Sequence, residues 1–117
     1  MRIATVTLVT LGTLSLVACS ASSDSSAADK YKQTWTTPYS DTACADYLSA
    51  MSEKQRWVMA ADMLASVRKV DGGSQLPSDG QVDRFQADVA TGCEGEATAI
   101  VGDVAVAIYK LDASYQP

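Results

Sequence analysis

A chain of 117 residues has room for one small domain. It contains 9 Lys and Arg, 14 Asp and Glu and no His, which gives a net charge of −5. These counts exclude a histidine base or a histidine metal ligand, and they argue against a nucleic-acid partner, which needs clustered Lys and Arg.

Residues 1–18 are typical of a bacterial lipoprotein signal peptide. One positive charge precedes an uncharged run over residues 3–17 that is mostly Val, Leu, Ile, Ala and Thr. Such a run is short for a membrane span of roughly 20 residues and suits the hydrophobic region of a signal peptide. It ends in the sequence LVAC at residues 16–19, which resembles the lipobox that directs lipidation of the cysteine. The alternative is an ordinary signal peptide with an incidental Cys19.

Lipidation would leave a mature chain of 99 residues that begins at Cys19. Its 8 basic and 14 acidic side chains give a net charge of −6, so no polybasic patch supports membrane binding and the lipid has to supply the anchor. We therefore expect a lipid-anchored protein on the extracytoplasmic face of the cell membrane. Residues 19–40 are predicted to be the anchor and a flexible tether, and residues 41–117 the domain.

The predicted tether has two parts of different composition. Residues 20–28 are Ser and Ala with one Asp, which cannot bury enough apolar surface to become ordered. Residues 30–39 instead carry Tyr31, Trp35 and Tyr39. Two interpretations stay open for this second part: it docks one aromatic side chain on the domain, or it exposes an aromatic segment, with Trp35 at its centre, to a partner.

Two helices are predicted in the first half of the domain. Asp41 or Thr42 can cap a short helix that runs to about residue 50. Its apolar face is Cys44, Tyr47, Leu48 and Met51. Ser52 and Gln55 have the spacing of a capping box, which begins a second helix that runs to about Val70. The buried stripe predicted for the second helix is Trp57, Val58, Ala61, Leu64 and Ala65.

Two further segments follow the glycines at residues 72–73. Ser78 is predicted to cap a third helix over about residues 79–91. Its apolar side is Val82, Phe85, Val89 and Cys93. A last segment, from residue 96 to about 112, has helical spacing at Ala97, Ile100, Val101, Val104, Ile108 and Leu111. The alternation of Val104, Val106 and Ile108 also fits a strand, and we favour the helix because its pattern is longer.

Two cysteines remain once Cys19 is assigned to lipidation. An even number of cysteines in an exported protein indicates a disulfide, here between Cys44 and Cys93. Both lie on the apolar faces of their predicted segments, so both can point into one core. Two buried free thiols are the alternative.

No part of the sequence has the spacing of a catalytic or metal-binding motif. The acidic pairs at residues 41 and 46 and at residues 94 and 96 do not form a calcium loop, and the DGGS sequence at residues 71–74 lacks the Lys of a phosphate-binding loop. We therefore expect no enzymatic activity, no cofactor and no metal.

The sequence TACADYL at residues 42–48 resembles the opening of the HdeA family of acid-stress chaperones. That family begins its domain with a Cys, an acidic residue, an aromatic residue and a Leu on a short helix, and Cys93 lies where the family has its second Cys. The resemblance covers about residues 42–111. It implies an all-α fold, a small four-helix domain held by one disulfide, and activity as a chaperone for unfolded clients in acid.

Such activity has a physical basis in the charge of the chain. With all carboxylates protonated the mature side chains would carry +8, and repulsion would loosen the helices while the disulfide retains the chain. The apolar side chains that would then contact clients are Leu48, Val58, Leu64, Val82, Phe85 and Val104. The same residues can equally be ordinary core residues.

Two other functions compete with the chaperone. Small prophage-encoded lipoproteins that block superinfecting phage look broadly similar, with a lipobox, a Ser-rich tether and one compact domain, and they act by binding an envelope or phage protein. A lipoprotein with a purely structural role in the envelope is the third interpretation.

Overall fold

A computed structural model describes residues 29–117, and this part of the chain is all-α with one disulfide, as predicted. It forms four α-helices and one 3-10 turn: α1 at Cys44–Ser49, α2 at Glu53–Val70, α3 at Asp79–Cys93, α4 at Val101–Leu111, and the turn at Ala113–Tyr115. The predicted signal peptide, Cys19 and the Ser-rich stretch lie outside the described residues. Within them, no helix has the length and apolar character needed to cross a membrane.

Capping boxes begin the two longest helices. The Ser52 hydroxyl accepts a hydrogen bond from the Gln55 backbone N–H, and the Gln55 side chain accepts one from the Ser52 backbone N–H. Ser78 and Gln81 repeat this arrangement at α3. Each box satisfies two backbone donors that a helix start would leave without partners. The predicted starts of α2 and α3 are therefore confirmed.

The start of α1 differs from the prediction that Asp41 or Thr42 caps it. The N-cap is Ala43, which makes no side-chain hydrogen bond. The first backbone donors of the helix instead reach the loop before α4: the N–H of Cys44 donates to the Ala99 carbonyl at 2.8 Å, and the N–H of Ala45 donates to the Ala97 carbonyl at 3.1 Å. A remote loop thus replaces the local cap.

The last segment is a helix, so the strand alternative is wrong, but its buried face differs from the predicted stripe. The helix begins at Val101, and its buried residues are Val101, Ala105 and Tyr109. Leu111, the last position of the predicted helical stripe, is 86% exposed. Residues 96–100 form a turn that pairs with α1 through a bridge between Ala43 and Ile100.

Two residues of the predicted stripe pack against α3. Val104 and Ile108 pack on the core while half-buried. A Cβ atom at Gly92 would lie 2.8 Å from Val104 Cγ1 and 3.1 Å from Ile108 Cδ1, so a larger residue at position 92 would have to displace these side chains.

The core lies among all four helices. Its largest fully buried side chains include Tyr47, Met63, Leu64, Val82, Phe85, Val89 and Tyr115. The predicted disulfide joins Cys44 of α1 to Cys93 at the end of α3, with the two Cα atoms 5.1 Å apart and both residues fully buried. Each large apolar side chain buried in this way stabilises the fold by about 1.5–3 kcal/mol.

The buried surface of α2 is wider than the predicted stripe. Val58, Ala61 and Leu64 are buried as predicted, but so are Met59, Ala60 and Met63. Trp57 and Ala65 are only half-buried. The residues before Tyr39 also lie beside α2, so this helix is covered on a second side in addition to the side that packs on the other helices.

Candidate functional site

Residues 29–40, here called the N-terminal arm, lie against the helices. The Trp35 indole Nε1 donates to the Thr42 hydroxyl at 3.1 Å, and Thr42 is 1% exposed. The Gln33 side-chain amide donates to the Gln55 carbonyl at 3.1 Å, and Lys30 Nζ lies 2.7 Å from the carboxylate of Asp79. The sequence placed these residues in the tether; in the structure they contact α2, α3 and the residue before Ala43.

Three aromatic side chains of the arm reach the domain. Trp35 and Tyr39 are half-buried and pack on the core, while the Tyr31 ring lies 5.8 Å from the Trp57 ring of α2. Tyr39 also meets the start of α4, where its carbonyl accepts a hydrogen bond from the Gly102 N–H at 3.3 Å. In the structure this segment therefore docks on the domain, through more than the one aromatic side chain that the first interpretation expects.

An apolar groove of about 560 Å³ lies between the arm, α2 and the loop before α3. The arm contributes Tyr31, Gln33, Trp35, Thr36, Thr37, Pro38 and Tyr39; α2 contributes Val58, Met59, Ala61, Asp62 and Ala65; and the loop contributes Leu76 and Pro77. Its volume falls in the range of small-molecule sites, about 300–1,000 Å³.

The groove is open and its rim is apolar. Leu76 is 70% exposed and Tyr31 is 41% exposed, although both are large hydrophobic side chains. Asp62 is the one charged side chain among the described residues that line it. This chemistry suits binding of an apolar ligand, and the described residues contain no cluster that could hold a metal ion.

Only two of the predicted binding residues, Trp35 and Val58, line this groove. Leu64, Val82 and Phe85 are at most 1% exposed and belong to the core, and Val104 is half-buried beside it. Leu48 lines a second groove of about 580 Å³, together with Glu53, Arg56, Asp83, Gln86, Ala87 and Ala90. The lining residues that the sequence did not indicate include Met59, Asp62, Leu76 and Pro77, which no periodic pattern marks as a site.

Several contacts between elements end on carboxylates. Trp57 Nε1 of α2 donates to Asp83 of α3 at 2.7 Å, and the Tyr109 hydroxyl of α4 donates to Asp71 at the end of α2, also at 2.7 Å. The Tyr115 hydroxyl donates to Asp88. With the ion pairs that Asp79 makes with Lys30 and Asp112 makes with Arg84, these contacts bridge the arm, the helices and the C-terminal turn.

Burial and these contacts change the acidity of the groups involved. Burial, followed by the hydrogen bond to Asp71, raises the pKa of Tyr109 to about 12. Burial also raises the pKa of Tyr47 and of Tyr115, the latter with a contribution from Asp88. Hydrogen bonds from the Ser114 hydroxyl and backbone N–H lower the pKa of Asp112.

No family model, no curated protein and no solved structure matches this chain. Its function is therefore inferred from its own residues and their geometry.

Proposed function

We propose that the chain is a lipid-anchored extracytoplasmic binding protein that acts as an acid-activated holdase, as chaperones of the HdeA family do. The observation that carries this proposal is the set of carboxylates at the contacts between elements. An apolar core that is held partly through ionised carboxylates, and that is retained by a disulfide, has the parts such a chaperone requires.

Acid acts on these contacts and on the whole charge at once. Charge-assisted hydrogen bonds and ion pairs need an ionised carboxylate, so acid opposes the contacts that end on one. It also takes the mature side chains from −6 toward +8. Because the folded pKa of Asp112 is lowered, the stability that Asp112 contributes is present above its unfolded pKa and is lost as the pH falls through the folded pKa.

Loosened helices would present apolar side chains that the folded domain buries. Leu64, Val82 and Phe85 are the largest of the predicted client-binding residues in the core, and they can meet a client only when the helices separate. The Cys44–Cys93 bond would keep α1 attached to the end of α3 in that state. Compact acid states with exposed apolar surface are known for other proteins.

A pH titration tests this proposal. We would use the mature chain with Cys19→Ala, exported without lipid and with the disulfide intact, and lower the pH from 7 to 2. We expect the near-UV circular dichroism to disappear, ANS fluorescence to rise, and an acid-denatured client to stay in solution. The same protein with the Cys44–Cys93 disulfide reduced is the matched control. A domain whose tertiary signal is unchanged at pH 2 would rule the holdase out.

A second candidate function is binding of one envelope or phage protein at neutral pH, as in lipoproteins that exclude superinfecting phage. The apolar groove favours it, because the groove is present in the folded domain and needs no acid to form. Expression of the full-length chain should then reduce phage infection at pH 7. A groove-filling variant, Ala65→Trp, should restore infection, and unchanged infection in cells that carry the wild-type chain would count against this candidate.

A further inference from the structure

We propose that the groove beside the N-terminal arm binds an extended apolar peptide segment that carries one basic side chain, and that this side chain pairs with Asp62. The inference deepens the neutral-pH binding role, since it names the chemistry of the partner. It does not depend on acid loosening.

The walls of the groove favour an extended apolar chain. Tyr31 and Trp35 on the arm, Met59 on α2 and Pro77 in the loop all line the groove, and Met59 and Pro77 are buried at its base. Aromatic and proline side chains offer large, rigid contact surfaces at a small entropic cost. Leu76 and Tyr31 are exposed at the rim. A bound segment that covers them would be stabilised by about 25 cal/mol for each Å² of apolar surface that it removes from water.

The carboxylate of Asp62 indicates which charged side chain the bound segment carries. Asp62 is exposed, and the two ion pairs found among the described residues involve Asp79 and Asp112 instead. A basic side chain in the bound segment would pair with Asp62. The mature net charge of −6 would also steer a basic segment toward the domain from a distance.

The same charges disfavour two other occupants. A second copy of the chain would also carry a net charge of −6, and like net charges oppose association. An acyl chain would cover the Asp62 carboxylate without giving it a partner, which costs desolvation energy. A basic apolar peptide is the occupant that uses both the aromatic wall and the carboxylate.

Selection from a random peptide library at pH 7 tests the proposal on the folded mature chain carrying Cys19→Ala. We expect the wild-type groove to enrich peptides with several apolar residues and one Lys or Arg. Asp62→Lys should reverse the preference to Asp or Glu, and Ala65→Trp, which fills the groove, should abolish enrichment. Ala87→Trp is the matched control, because Ala87 lies on α3 and lines the other groove.

Circular dichroism checks that each variant is folded. If Ala65→Trp does not fold, Thr36→Trp replaces it, because Thr36 is an exposed residue of the arm that also lines the groove.

One selected peptide then measures the pairing directly. Asp62→Asn should weaken binding of this peptide about threefold. Replacing the basic residue of the peptide by norleucine should weaken binding by the same factor. The two changes together should cause no further loss, because each removes the same ion pair. The proposal would be overturned if Ala65→Trp left the enrichment intact, or if Asp62→Lys left the preference for basic peptides unchanged. Binding of decanoate in place of peptides, or a concentration-dependent dimer that Ala65→Trp dissociates, would overturn it as well. Aggregation suppression at pH 2.5, measured on the same preparation, reports the holdase separately, so either proposal can fail alone.

Discussion

Tyr109 shows how a single side chain sets part of the pH dependence. It is 2% exposed, and its hydroxyl donates to Asp71, so the fold favours the neutral tyrosine and raises its pKa from 10.0 to about 12. A raised pKa means that the stability from this group is complete below the unfolded value. That stability is lost as the pH rises through the folded value.

We therefore expect Tyr109→Phe to lower the free energy of unfolding by about 1 kcal/mol at pH 8, because one hydrogen bond is lost and Asp71 loses its partner. The difference between the variant and the wild type should shrink between pH 10 and pH 12. Urea denaturation at pH 8 and pH 11 measures both effects. Tyr31→Phe, at a residue that is 41% exposed, is the control for the loss of a tyrosine hydroxyl group. A constant difference across this range would show that Tyr109 ionises alike in both states.

At the scale of the element, the caps decide where the helices begin. Replacing Ser78 by Ala removes the acceptor for the Gln81 N–H, and we expect a loss of about 1 kcal/mol of stability. Ser52→Ala should cost a similar amount, and the two losses should add because the caps belong to different helices. Thermal denaturation followed by circular dichroism gives the values. Ser74→Ala, in the exposed loop, should stay within about 0.5 kcal/mol of the wild type. A cap variant as stable as this control would contradict the assignment.

These caps also explain which elements the sequence could predict. A capping box is complete within four residues, so the starts of α2 and α3 were predicted correctly from residues such as Ser52 and Ser78. The start of α1 was not, because its donors reach the remote Ala97 and Ala99. The face that α4 buries, with Val101, Ala105 and Tyr109, is set by its packing against the rest of the domain, which periodicity does not encode.

The groove was beyond sequence reasoning for the same physical reason. Its arm is held by Trp35 and Thr42, and its far wall comes from Leu76 and Pro77, nearly forty residues later. The aromatics and the apolar loop residues are visible in the sequence. Only tertiary packing brings them to one place, and it also buries Leu64, Val82 and Phe85 in the core.

For the whole molecule, the disulfide is expected to be the largest single contribution to stability. It closes a loop with a sequence separation of 49, and the chain-entropy model gives about 4 kcal/mol for a loop of that length. Small domains are stable by only about 5–15 kcal/mol in total. Cys44→Ala combined with Cys93→Ala should therefore lower the urea midpoint strongly. Reduction of the wild type should give the same midpoint, and a midpoint that neither change moves would contradict the estimate.

The net charge supplies the other effect at this scale, and it can be separated from the local carboxylate contacts by salt. At about 0.01 M salt the screening length is roughly 30 Å, larger than the radius of a domain of this size, so all positive charges repel one another in acid. At about 1 M it is roughly 3 Å, and only direct contacts are felt. If repulsion loosens the fold, the acid midpoint should move to lower pH as salt is added.

Variants that change the number of positive charges test the same prediction at one salt concentration. Lys32, Lys54 and Lys69 are exposed, and replacing all three by Gln lowers the fully protonated charge from +8 to +5, so acid loosening should need a lower pH. Replacing the same three lysines by Arg is the matched control, because the fully protonated charge then stays at +8. A midpoint that neither salt nor the lysine variant moves would assign the acid response to the carboxylate contacts alone, since repulsion over the whole molecule would then have no measurable part in it.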